Sequence, residues 1–149
     1  MRLTDIMSAG VLTVTPETPA ETAWEMMREQ SIHHLVVVDD RRRVVGIASA
    51  GDLGGRRRNA PNPRDVVADF MNAPVVCADE DTTVRSAANL LRGHAIGCLP
   101  VLRDGTLVGI VTLSDMLELL GRGAEKPTAR AERYTLKHRA NRPAGPHRP

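Results

Sequence analysis

Aromatic residues make up 2% of this 149-residue chain: one Trp, one Tyr and one Phe. The core must therefore be aliphatic. Base stacking on aromatic platforms, the usual hold on single-stranded nucleic acid, has almost nothing to work with. Cysteine is nearly as scarce. Cys77 and Cys98 lie in apolar, strand-like stretches, which reads as two reduced core thiols in a cytoplasmic protein rather than a disulfide frame or a zinc site. No apolar run approaches the ~20 residues that cross a bilayer, so no membrane association is expected. Met1-Arg2-Leu3-Thr4-Asp5 lacks the apolar core of a signal peptide. A phosphate-binding glycine loop, a cluster of metal ligands and a nucleophile with an arranged base are all missing, so catalysis is not expected.

Charge is present but uneven. The chain carries +2 overall. Residues 121–149 hold eight Lys/Arg against two Glu, and residues 1–120 hold twelve Arg against sixteen Asp/Glu. The body is mildly acidic and the basic excess sits in residues 122–149. That tail has too little apolar content to order itself, although Tyr134 and Leu136 could dock on a partner.

What the chain has in quantity is internal repetition. A shift of 64 residues brings Asp5 onto Asp69, Met7 onto Met71, Thr18 onto Thr82, Ile32 onto Ile96, Leu35 onto Leu99 and Val37 onto Val101. After Asp40 the shift becomes 63, at a turn where a length change is tolerated. Gly46, Ile47 and Asp52 then meet Gly109, Ile110 and Asp115, and Ser49 meets Thr112. Residues 1–58 form repeat one, 59–66 a linker and 67–121 repeat two. Each repeat predicts a helical turn (Leu3 to Met7, Val67 to Met71) and a short strand (Val11 to Thr15, Val75 to Ala78). A helix follows, with apolar residues at i, i+3, i+4 and i+7. In repeat one Thr18 is its expected cap, with Pro19 at the first helical position and Glu21 completing a capping box; in repeat two Gly93 is its expected stop. Two more strands flank a turn, which in repeat two contains the hairpin signal Asp104-Gly105. A last helix begins at Asp52 or Asp115. The unit is β-α-β-β-α, an α/β (α+β) fold with small mixed three-stranded sheets. One unit alone leaves a sheet face bare, so pseudo-twofold packing of the two is expected.

The stretches Gly46–Asp52 and Gly109–Asp115 carry the chemistry. Each ends a buried strand on a hydroxyl residue and places a carboxylate three positions later, at or near a helix N-cap. A helix start attracts phosphate, and an ionised carboxylate can accept both hydroxyls of a ribose diol. Either stretch alone is an ordinary helix cap; two copies at matched positions suggest a paired site.

These motifs, with Asp5-Ile6-Met7, Asp69-Phe70-Met71 and Ala95-Ile96-Gly97-Cys98-Leu99-Pro100-Val101, resemble a tandem pair of CBS domains, or Bateman module, over roughly residues 1–120. The resemblance implies a non-catalytic regulatory module. Such a module binds AMP, ADP or ATP, or in some members NAD, S-adenosylmethionine or cyclic dinucleotides, and commonly forms a disc-like homodimer. No cofactor is required; the adenine nucleotide is the regulatory ligand. Asp52 and Asp115 would each hold a ribose diol, and Ser49 and Thr112 ribose or phosphate. Ser31 to Asp39 resembles the stretch of AMP-sensing kinase regulatory subunits where a His and an Arg meet phosphate; here the pair is His33 and His34. Adjacent on a strand, these would point to opposite faces. Their counterparts Gly97 and Cys98 carry no charge. The Asp52 site, with His33, His34 and the downstream Arg56, Arg57 and Arg58, is therefore expected to be the better phosphate site. Ile32, Ile96 and Pro100 are the base-pocket candidates. Met26, Met27 and Met71 read as core. The apolar residues Leu117, Leu119 and Leu120 favour a dimer face, and the regulated protein target would be reached in trans. The rival reading is protein or nucleic-acid interaction through the basic tail, for which the acidic body and sparse aromatics give little support.

Overall fold

The computed structural model describes residues 1–54 and 61–122. Repeat one contributes β1 (Thr13–Val14), α1 (Ala20–Glu29), β2 (His34–Val38), β3 (Val44–Ser49) and α2 (Ala50–Gly54). Repeat two contributes β4 (Ala78–Asp79), α3 (Val84–His94), β5 (Cys98–Arg103), β6 (Thr106–Thr112) and α4 (Leu113–Gly121). The two sheets have the same topology, β1-β2-β3 and β4-β5-β6, with the first pair parallel and the second antiparallel. This is the expected pair of β-α-β-β-α units with mixed three-stranded sheets, packed about a pseudo-twofold axis. The opening strands are shorter than the apolar pattern suggests, two residues each. No helix among the described residues is long and apolar enough to cross a membrane.

Each repeat lends its opening turn to the other. The 3-10 turn Leu3–Asp5 places Leu3 in the core of repeat two, with Ile6 and Met7 against it. The turn Val67–Asp69 places Val67 in the core of repeat one, with Phe70 and Met71 against it. Backbone hydrogen bonds fix the exchange at matched positions: Leu3 N–H donates to the Thr82 carbonyl, and Val67 N–H to that of Thr18. Ser8 bridges to Ile110 and Asn72 to Ile47, each extending the other repeat's sheet edge. The glycines of the two motifs make room for this. A Cβ built on Gly46 would lie 2.6 Å from the Met71 sulfur, and one on Gly109 would lie 2.5 Å from the Met7 sulfur.

Several local expectations are corrected. Thr18 does not cap α1; its hydroxyl accepts from the Thr15 amide (3.0 Å) and closes the preceding turn. Pro19 holds the cap position, and Ala20 N–H donates to the Asp65 carbonyl instead. In repeat two the cap is Thr83, which accepts from the Ser86 amide (3.2 Å). Gly93 lies within α3, and the left-handed residue after that helix is Ala95 (φ 52°), matched by Ser31 (φ 53°) after α1. The hairpin signal holds: Asp104 and Gly105 both have positive φ between paired Arg103 and Thr106, as a two-residue turn requires. In repeat one the turn is longer. There the Asp39 carboxylate accepts from the amides of Arg41 and Arg43 and from Arg43 Nε. The extra residue accounts for the change of shift from 64 to 63.

Candidate functional site

The last helix of each repeat starts two residues before its aspartate, so Asp52 and Asp115 lie inside the first turn rather than at the cap. The hydroxyl residues are the caps. The Asp115 amide donates to Thr112 Oγ1 (3.3 Å), and Asp115 Oδ2 in return accepts the Thr112 amide (2.7 Å) and hydroxyl (3.0 Å). The Asp52 amide donates to Ser49 Oγ (3.1 Å) and Asp52 Oδ2 accepts the Ser49 amide (3.2 Å). A third donor, Asn72 Nδ2, reaches the same Asp52 oxygen at 2.9 Å. Every bond to the two carboxylates uses Oδ2, leaving Oδ1 of each out of the cap.

Two clefts lie against these junctions. The first, about 370 Å³, is lined by Ile47, Ser49, Asp52 and Asn72 on one side and by the Pro74–Val76 and Ala95–Cys98 segments of repeat two on the other. The second, about 630 Å³, repeats the arrangement in mirror order. Ile110, Thr112 and Asp115 face the Ser8–Leu12 and Ser31–His34 segments of repeat one. Both volumes fall in the range of small-ligand pockets. Each cleft thus joins a strand-to-helix junction of one repeat to the helix-to-strand junction of the other.

This crossing corrects the grouping of His33 with Asp52. His33 is exposed in a bend before β2, not on the strand, and lines the second cleft, with Thr112 and Asp115. Its carbonyl accepts from Ala50 N–H (2.9 Å), as that of its counterpart Gly97 accepts from Leu113 N–H (3.0 Å). His34, the first residue of β2 and paired with Ser49, lines both clefts. Its ring lies against Gly97, where an added Cβ would fall 3.1 Å from His34 Nε2. Burial pulls the His34 pKa below the ordinary histidine value, and nearby His33 adds to the fall while Asp52 opposes it. At neutral pH the imidazole is therefore largely uncharged. Cys98, the counterpart of His34, is buried in the first cleft, and burial, with a smaller push from Cys77, raises its thiol to about 11. Both cysteines are free.

The base-pocket candidates divide. Ile32 lines the second cleft and Ile96 the first. Pro100 is fully buried opposite Ile110, two residues further into the sheet than Cys98, and lines neither cleft; this removes it from the base pocket expected for it. Arg56, Arg57 and Arg58 lie outside the described residues, as does the basic tail from residue 123. Asn72 was not foreseen, although the 64-residue shift that aligns it with Ser8 marks both as the residue following the Met of each opening turn. Among the described residues, no group of three or more His, Cys, Asp or Glu is placed to hold a metal ion.

The CBS domain profile matches residues 3–53 and 67–122. The chain belongs to the CBS domain family. CBS pairs are regulatory modules rather than catalysts. The fold of this pair is similar to that of the CBS domain pair of protein MJ0100, solved in complex with 5′-methylthioadenosine and S-adenosyl-L-methionine. The TM-score is 0.71 with 26% identity, covering 81% of this chain and 96% of that one. It is also similar to CBSX2, solved in complex with AMP, with TM-score 0.70 and 26% identity over 83% of this chain and 99% of that one. An uncharacterised protein of Methanopyrus kandleri, MK0525, is 35% identical over 119 residues, which cover 77% of this chain. The CBS pair described here spans 60% of that relative's length.

Proposed function

We propose that this CBS pair is a ligand-sensing regulatory module that binds an adenosyl compound in its inter-repeat clefts. AMP, ADP or ATP is the leading class, with NAD and S-adenosylmethionine as the nearest relatives in chemistry. The observation that carries the reading is the paired junction. In each cleft a capped helix start presents a carboxylate oxygen that takes no part in the cap, opposite an apolar wall from the other repeat. Oδ1 of Asp52 and of Asp115 accepts the ribose hydroxyls. Ser49, Thr112 and the helix amides meet ribose or phosphate, and Ile32 and Ile96 flank the base. The complexes of the MJ0100 pair and of CBSX2 support the ligand class.

The signal is a change in packing between repeats or between two copies. A ligand gripped by both repeats stabilises the arrangement that fits it, to the extent of its differential affinity. Leu113, Leu117 and Leu120 project from α4 with 50%, 68% and 78% of their surface exposed. An apolar face of this kind favours a homodimer, working in the cytoplasm on a protein target in trans. Isothermal titration with AMP, ATP, NAD and S-adenosylmethionine tests the ligand class. Saturable binding by at least one is expected, and silence from all four at millimolar concentration overturns it.

A further inference from the structure

The two clefts are not independent, because they share a wall. Among the described residues, His34 and Gly97 alone line both. The glycine is what lets the imidazole reach across: its missing side chain is the space against which His34 Nε2 and Cε1 rest. The strict pseudo-twofold counterpart of this pair is Cys98 and His33, so the bridge exists once, not twice. We infer that His34 is a single shared cation site coupling the clefts, so that one phosphate-bearing ligand per chain binds with uptake of a proton and disfavours a second. This rests on the adenosyl-ligand reading above and adds to it a stoichiometry and a pH dependence.

The groups around His34 make the case. From its own segment it faces His33. From the β3–α2 junction it faces Asp52, braced by neutral Asn72. From repeat two it meets Gly97, with the protonated thiol of Cys98 in the wall of the first cleft and Asp115 across the second. A carboxylate thus stands in each cleft. Among the described residues, the groups lining the clefts that can turn positive are the two histidines. A phosphate entering beside the carboxylate of its cleft draws a proton onto a histidine that burial holds neutral. An imidazolium carries one charge. Once a dianionic phosphate has neutralised it, the shared wall is net negative toward the other cleft. The second cleft, with exposed His33 beside the bridge, takes the phosphate first, the reverse of the preference for the Asp52 site expected from the sequence. A neutral or cationic adenosyl compound is not penalised in the first.

Calorimetric titration of the full chain with AMP and with adenosine, at pH 7.0 and pH 8.5, where the AMP phosphate is mainly dianionic, and in two buffers of different ionisation enthalpy, reads the coupling. The wild type is expected to bind one AMP with proton uptake, more tightly at pH 7.0, with a second event weaker by about tenfold or more. Adenosine should show neither effect. His34→Gln should abolish the uptake and bring the two AMP events within a few-fold of each other, its folding being checked by circular dichroism. A second measurement needs no variant: the pH midpoint of the assigned His34 imidazole resonance should rise on AMP saturation. Two equal AMP sites in the wild type, uptake that persists in His34→Gln, or an unmoved midpoint overturns the coupling alone. Absence of any AMP or adenosine binding overturns the ligand reading and the coupling together.

Discussion

Alanine at Gly109 should destabilise the protein through a methionine that lies in the other repeat. The added Cβ would sit 2.5 Å from Met7 Sδ, 2.9 Å from Met7 Cγ and 3.2 Å from the Ser8 carbonyl oxygen, whereas relaxed carbon contacts need about 3.5–4.0 Å. The Ser8 carbonyl, held by Ile110 N–H at 3.0 Å, is only slightly too close, so most of the clash falls on Met7, whose side chain is packed against the core of repeat two. Overpacking of this kind costs about 1–3 kcal/mol. The lower entropy of the unfolded alanine chain returns about 0.4–1 kcal/mol. A net loss of about 1–2 kcal/mol, or roughly 4–10 °C in Tm for a domain of this size, is expected by calorimetric melting. The steric term should vanish when Met7 is shortened. Gly109→Ala in a Met7→Ala background should therefore be nearly neutral, giving a coupling energy of about 1–2 kcal/mol in the double-mutant cycle. Strictly additive costs, or stabilisation by Gly109→Ala alone, would refute the exchange of opening turns that builds one side of each cleft.

Asp115→Asn keeps an oxygen for the Thr112 amide but removes the charge. It should leave Tm within about 2 °C while weakening AMP binding by about 10–100-fold, the worth of one or two hydrogen bonds to a charged group. Asp52→Asn should spare that tight event, and equal losses of stability and affinity would count against the ligand role. The folded-state pKa of His34 lies below 6.5, its value in an unfolded chain. The unfolded state therefore takes up the proton first, and stability should fall as pH drops below about 6.5. Urea titrations of His34→Gln between pH 5 and 8 should show a shallower fall than the wild type, and parallel curves would contradict the assignment. Leu117→Glu with Leu120→Glu should turn the proposed dimer into a monomer by sedimentation, the monomer staying folded by circular dichroism with a lower, concentration-independent melting temperature; a dimer that survives both charges does not use the α4 face.

Much of this architecture was legible because it is written twice. The repeat, in a register of 64 and then 63 residues, aligned the strands and the two Gly-to-Asp motifs, and Asp104-Gly105 announced its turn through a backbone conformation few other residues adopt. The first turn, with Arg42 at φ 62°, is one residue longer, and that residue explains the slip to 63. The errors lie where distant segments decide. Thr18 looks like a cap, but the Asp65 carbonyl takes the Ala20 amide and frees the hydroxyl for Thr15. Gly93 looks like a stop, yet Ala95 and Ser31 adopt the left-handed conformation at matched positions. His33 reads as a partner of the carboxylate of its own repeat because sequence order says nothing of which repeat faces which; His34 does stand with Asp52. The exchange of Leu3 and Val67 between cores, and with it the placement of His33 beside Asp115, is a property of packing. Asn72 escaped notice for the same reason: its partner is twenty residues away.

Amide chemical-shift mapping of the isotopically labelled protein during titration with AMP tests in one experiment whether an adenosyl ligand sits in the inter-repeat clefts. Saturable shifts should cluster at Ser49, Asp52, Gly97, Thr112 and Asp115, with the larger changes around Thr112 and Asp115. A spectrum unmoved at millimolar AMP, or shifts confined to surfaces away from both strand-to-helix junctions, would contradict it.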